Sequence, residues 1–156
     1  MITITTLTDR QVNSVEIFEH FASDFEAAVI DDNWRRLAKY LSDNSTYLNV
    51  GGPDKKVKGA RAIIAYLKED IANTDRRFDT RTLVGLDDPF VDKDYLSRKW
   101  RCTYTLAGAP PLIIEGEARY RFKGNVIHSI EEQPTTESME KVNDWMQKYA
   151  DMLRDL

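Results

Sequence analysis

Residues 34–67, WRRLAKYLSDNSTYLNVGGPDKKVKGARAIIAYL, decide the fold of this 156-residue chain. Trp34, Leu37, Ala38 and Leu41 recur at intervals of three, four and seven, the spacing of one buried helix face. Residues 45–50 are rich in β-formers, and Gly51-Gly52-Pro53 then punctuates the run as a turn. Gly59 opens a second amphipathic run that carries Ile63, Ile64, Leu67 and Ile71. Helix, short strand, turn and helix, with long strands to follow, specify an α+β chain whose helices lie across one sheet face.

Upstream, Thr8 and Gln11 have capping-box spacing, and Val15, Phe18, Phe21, Phe25 and Ala28 supply a helical apolar stripe. The run at 34–41 extends a second helix back to about residue 32, and a third is expected over 60–74. Strands are expected over 78–84, 95–106, 112–122 and 126–133. Lys123-Gly124 reads as the tight hairpin between the last two, and residues 107–111 as another turn. A final helix over about 136–155 presents Met139, Val142, Trp145, Met146, Tyr149, Met152 and Leu153 as one stripe that must be buried. No repeat or linker divides the chain, so 1–156 is expected to be a single domain with its core over about 12–133.

A hydrophobic content of 42% and a charged content of 31% describe an ordinary globular composition. The formal net charge of -4 argues against a nucleic-acid partner, whose phosphates call for a basic footprint. No apolar run reaches membrane-spanning length, and the opening residues lack the pattern of a secretory leader. With the single Cys102, these features make a cytoplasmic setting the expectation.

Side chains alternate faces along a strand. Over 95–106 the face to bury holds Leu96, Arg98, Trp100, Cys102, Tyr104 and Leu106, so an arginine enters an apolar surface. Over 126–133, Ile127, Ser129, Glu131 and Gln133 alternate with Val126, His128, Ile130 and Glu132. A two-residue turn at Lys123-Gly124 puts Gly116, Ala118 and Tyr120 on the face of Ile127, Ser129 and Glu131. A three-residue turn slips the pairing by one and brings Glu117 to Glu131 instead. Small residues beside an acid on a concave face leave room for a ligand. Glu115, Glu117, Arg119 and Arg121 read as a charged outer face.

The order and local wording of residues 18–133 resemble the nuclear-transport-factor-2-like superfamily, above all its SnoaL-like and ketosteroid-isomerase-like branch. That resemblance implies a cone-shaped, curved antiparallel sheet, with N-terminal helices closing a deep pocket and a C-terminal helix added. In ketosteroid isomerases a general-base aspartate stands near the end of the first strand. The matching residue here is Asn49, which cannot take a proton at neutral pH. The oxyanion-stabilising acid falls on Ala118 or Glu117, according to the hairpin register. Tyr47-Leu48-Asn49 also resembles the first-strand pattern of limonene-epoxide-hydrolase-like proteins. By that resemblance Tyr47 and Asn49 hold an attacking water together with a last-strand acid, which corresponds to Glu131. The family's arginine corresponds to Arg98, and its second acid to Trp100.

The resemblance thus implies a cofactor-free acid/base enzyme, an isomerase, cyclase, dehydratase or hydrolase acting on an apolar polycyclic or terpenoid-like substrate. Glu131 is its base or water-activating group, Tyr47 and Asn49 position the reactant, and Arg98 holds or polarises an oxygen. Arg98 and Glu131 are expected to pair in a pocket shared with Phe25, Trp100, Ala118, Tyr120 and Ser129. The alternative is a non-catalytic cone that holds an apolar ligand or docks a protein partner. A homodimer through the sheet face away from the helices is expected, and the C-terminal apolar stripe fits one.

Other chemistries find no motif. Two scattered histidines and one cysteine give no zinc spacing, and Glu131 and Glu132 point to opposite faces, so no metal is expected. Dinucleotide fingerprints, Walker loops and nucleophile elbows are absent from the sequence.

Overall fold

The computed structural model describes residues 7–50 and 55–156. The Gly51-Gly52-Pro53 turn and the reading of residues 1–6 lie outside the described residues. Helix α1 (Asp9–Asp31) starts on the expected capping box, with Thr8 N donating to Gln11 Oε1 at 2.9 Å and Gln11 N to Thr8 Oγ1 at 3.2 Å. It ends at Asp32 in a left-handed conformation, and the Asp32 carboxylate accepts the Trp34 indole N–H at 2.8 Å. The expected second helix is a 3-10 helix, Trp34–Tyr40. Its buried residues, Trp34 and Leu37, are three apart, which suits a repeat of three residues per turn.

Strand β1 (Leu41–Asn49) follows at once and pairs antiparallel with the short β2 (Lys55–Lys58). Helix α2 (Ala60–Asn73) buries Ile63, Leu67 and Ile71, as its periodicity predicts. Then come β3 (Thr80–Gly85), β4 (Phe90–Asp92), β5 (Tyr95–Thr105), β6 (Leu112–Lys123) and β7 (Val126–Pro134). The strands form one seven-stranded sheet in the order β2-β1-β7-β6-β5-β3, with β4 also on β5. Neighbours run antiparallel except β1 and β7, which lie parallel. The sequence reading missed β2 and β4, two edge strands of four and three residues.

The inner sheet face meets α1, α2 and the 3-10 turn in the main core, where Phe18 and Phe21 stand edge-on to Tyr120 at 5.0 and 6.1 Å. Burying such side chains contributes roughly 1.5–3 kcal/mol each. Helix α3 (Thr136–Tyr149) closes the far end of the same face. Its Trp145 is buried against Phe78, with ring centroids 5.2 Å apart, and donates its indole N–H to Pro110 O at 2.9 Å. The apolar stripe of α3 is therefore largely satisfied within the chain, and it no longer argues for a second copy.

The β6–β7 hairpin corrects the expected register. Its turn is Gly124-Asn125, with Lys123 opposite Val126 and Phe122 opposite Ile127. A β-bulge then intervenes, because Arg121 pairs with Ser129 and leaves His128 as the extra residue. Alternation flips at that point. Ile127 faces in as expected, but beyond the bulge Ile130 and Glu132 turn inward while Ser129 and Glu131 turn outward.

Candidate active site

The registers lay out the concave face as rungs. Asn49 on β1 pairs with Glu132 on β7, Glu132 with Ala118 on β6, and Ala118 with Arg98 on β5. The rung to one side runs Tyr47, Ile130, Tyr120 and Leu96, and the rung to the other Pro134, Gly116, Trp100 and Gly85. Between this face and α1 and α2 lies a cavity of about 460 Å³. Phe18, Phe21, Leu67 and Ile71 supply its helical wall.

Glu132 is the carboxyl that enters this cavity from β7, and Glu26, Asp70 and Asp75 line it from other elements. The Trp100 indole N–H donates to Glu132 Oε2 at 3.0 Å. That contact depends on Gly116, where a Cβ would come within 2.6 Å of the Trp100 ring. Glycine lets the indole lie against the sheet and reach across to β7. Burial pushes the Glu132 carboxyl up to about 8, although the indole hydrogen bond and the Arg119 charge both oppose the rise. At neutral pH it therefore holds its proton. Tyr47 stands one rung away with its phenol raised well above the ordinary value, by burial first and then by Glu132. Tyr120 is raised by the same two causes in the same order. Asn49 donates Nδ2–H to the Tyr66 hydroxyl at 2.5 Å, so β1 and α2 fix its amide together.

A second polar group sits further along β5 and β3. Arg81 donates from Nε to Asp75 Oδ2 at 2.7 Å and from Nη1 to Glu26 Oε1 at 2.6 Å, while the Tyr104 hydroxyl donates to Asp75 Oδ2 at 2.9 Å. Burial raises the Asp75 carboxyl against the pull of Arg81 and Tyr104. Burial also works against the Arg81 charge, but Glu26 outweighs it and the guanidinium stays ionised. Burial raises the neighbouring Cys102 thiol too, so it remains protonated and weakly reactive. Apart from Glu26 Oε2, which is buried without a hydrogen-bond partner, this cluster is internally paired and reads as structural.

Of the site residues read from the sequence, Tyr47, Asn49, Arg98, Trp100, Phe25, Ala118 and Tyr120 all line the cavity. Glu131 and Ser129 do not. Both line a groove on the outer sheet face, where Glu131 Oε2 lies 3.3 Å from Arg119 Nε. The expected Arg98–Glu131 pair is thus replaced by two residues on opposite faces, and the bulge at His128 is the reason. Glu117 also lies outside, 3.6 Å from Arg119, which leaves Ala118 at the inward position. Neither acid of the ketosteroid-isomerase pattern is therefore present at its matching position. The sequence reading missed Glu132 and the Asp75–Arg81–Glu26 cluster. Two adjacent glutamates were visible in the sequence, but only a bulge decides which one faces in. Among the described residues no three His, Cys, Asp or Glu side chains come together as a set that could hold a metal ion. No helix among the described residues is long and apolar enough to cross a membrane.

By sequence alone, no family model matches the chain and no curated protein matches it. Solved structures do. A candidate SnoaL-like polyketide cyclase from Jannaschia sp. CCS1 superposes with a TM-score of 0.67 at 14% identity, covering 88% of this chain and 95% of that one. An LEH-like epoxide hydrolase from M. tuberculosis gives a TM-score of 0.63 at 11% identity, over 90% of this chain and 97% of that chain. An NTF2-like protein of unknown function from Cytophaga hutchinsonii ATCC 33406 gives 0.61 at 18% identity, over 81% and 99%. The chain has the NTF2-like fold, as its sequence resemblance implied. At these identities the likeness concerns the fold alone.

Proposed function

We propose that this chain is a SnoaL-like small-molecule enzyme that uses cofactor-free acid/base chemistry on an apolar substrate. The observation that carries the reading is Glu132, a carboxyl held near 8 inside an aromatic-walled cavity. A group with that affinity holds a proton at pH 7 yet releases it readily, which suits general-acid and general-base steps alike. With Oε2 receiving the Trp100 hydrogen, Oε1 is the oxygen available for the proton that reaches substrate. Tyr47 and Asn49 flank it as neutral hydrogen-bonding groups, and Arg98 on the same rung takes a substrate oxygen. The reaction class this supports is isomerisation, cyclisation, dehydration or hydrolysis, and the epoxide-hydrolase and cyclase folds among the similar structures fit it. A homodimer through the outer sheet face belongs to the same reading.

The test is turnover of a panel of polycyclic enones and terpenoid epoxides by parent and Glu132→Gln. A general acid or base contributes about 10²–10⁴-fold, so Glu132→Gln should lose at least 100-fold in kcat with ligand binding retained. If Glu132 acts as the acid, kcat also falls as pH rises through about 8. A Glu132→Gln variant with parental kcat ends this reading. Ligand binding without turnover in the parent would instead favour a non-catalytic cone, a reading that Asn49 and Ala118 support by standing where catalytic acids are expected.

A further inference from the structure

Two arginines line the cavity, and they are in opposite circumstances. Arg81 is held by two carboxylates, Glu26 and Asp75. Arg98 has no carboxylate within ion-pair distance among the described residues. Its Nε donates to the Asp87 main-chain oxygen at 3.1 Å, and its Cζ lies 5.9 Å from the Phe18 ring centroid. Both contacts hold the guanidinium in place without neutralising it. Its seat is made by Gly85, where an added Cβ would fall 2.3–2.5 Å from the guanidinium atoms. Any larger residue would push the head group out of this position.

A partly covered guanidinium at the cavity wall, with no ion-pair partner among the described residues, leaves its charge available to an anionic ligand. Its two terminal nitrogens make a planar fork whose geometry matches a carboxylate. Two strands away on the same rung stands Glu132, with only the methyl of Ala118 between them. At the usual strand spacing that separation is roughly 10 Å. Phe18, Phe21 and Tyr120 wall the space between.

From this arrangement, and resting on the acid/base reading of Glu132, we infer that the substrate is an apolar organic acid. Its carboxylate is seated on Arg98 and its reacting carbon skeleton extends across Ala118 to Glu132. The like charge of the bound carboxylate further favours the protonated form of Glu132, so substrate binding and proton retention reinforce each other.

The probes are 2-naphthoate, ionised at neutral pH, and its neutral counterpart 2-naphthamide, each titrated into the full chain by calorimetry at pH 7. The parent is expected to bind naphthoate at least tenfold more tightly than naphthamide. Arg98→Met should erase that preference by weakening naphthoate at least tenfold more than naphthamide, and a circular dichroism spectrum and urea midpoint like the parent's report that the variant is folded. Gly85→Ala, which fills the guanidinium seat, should weaken naphthoate in the same direction. Equal affinity for the two probes in the parent overturns the inference, as does a preference that survives Arg98→Met, or no binding of either at millimolar concentration. Glu132→Gln separates the two ideas. It should keep the naphthoate preference while losing turnover, so a failed carboxylate preference and a failed catalytic role give different results.

Discussion

Replacing Glu132 by Gln should make the protein more stable at alkaline pH. In the folded chain the carboxyl titrates at about 8, against an ordinary value of 4.5 once it is released into water. Below 4.5 it is protonated in both states and contributes no pH dependence. Between 4.5 and 8 the folded chain keeps the proton and the unfolded chain gives it up, so stability falls as pH rises. Each pH step in that window removes about 1.4 kcal/mol, and the whole interval amounts to roughly 5 kcal/mol. Above 8 the buried carboxylate is ionised and the full penalty stands. Glutamine has nearly the same shape, and its side-chain oxygen can still accept the Trp100 indole hydrogen, but it has no charge to desolvate. Urea unfolding of parent and variant at pH 5 and pH 9 gives the difference directly, and groups common to both cancel. The stability of the variant relative to the parent should shift in its favour by about 4 kcal/mol between those pH values, because part of the interval already lies below pH 5. A relative stability that stays within about 1 kcal/mol from pH 5 to pH 9 would refute the burial argument, and with it the acid assigned to the cavity.

Arg81→Ala strands Asp75 and Glu26, of which Asp75 is 8% exposed, and should cost about 3–5 kcal/mol in urea unfolding at pH 7. Arg81→Met combined with Asp75→Asn should recover a large part of that loss. Glu131→Gln removes only an outer-face ion pair, so unfolding free energy should change by less than about 1 kcal/mol and turnover should be unaffected. Loss of activity in that variant would return the site to the outer face. Sedimentation at micromolar concentration should give a species of twice 18.0 kDa, and a monomer at all concentrations would remove the homodimer from the proposal.

Local pattern was enough for the long elements, though not for the short edge strands β2 and β4. The capping box at Thr8 and Gln11, the Ile63–Leu67–Ile71 stripe and the even-numbered face of β5 are set by periods of 3.6 and 2, which any short stretch of chain carries within itself. Those periods, with element order, led to an α+β chain, and the family resemblance added the cone and assigned Tyr47, Asn49 and Arg98 to its pocket. The identity of the acid was beyond their reach. Alternation counted from the β6–β7 turn puts Glu131 inside, and it is right as far as Ile127. The single extra residue at His128 then reverses every face that follows, turning Glu132 in and Glu131 out. A bulge of this kind is set by how β7 fits between β1 and β6, and both partners are distant in sequence. The Arg81 network is non-local in the same sense, because α1, the turn after α2, and β3 and β5 each supply one member. Sequence fixed which side chains could do chemistry; packing between strands and helices far apart in the chain decided which of them share a cavity.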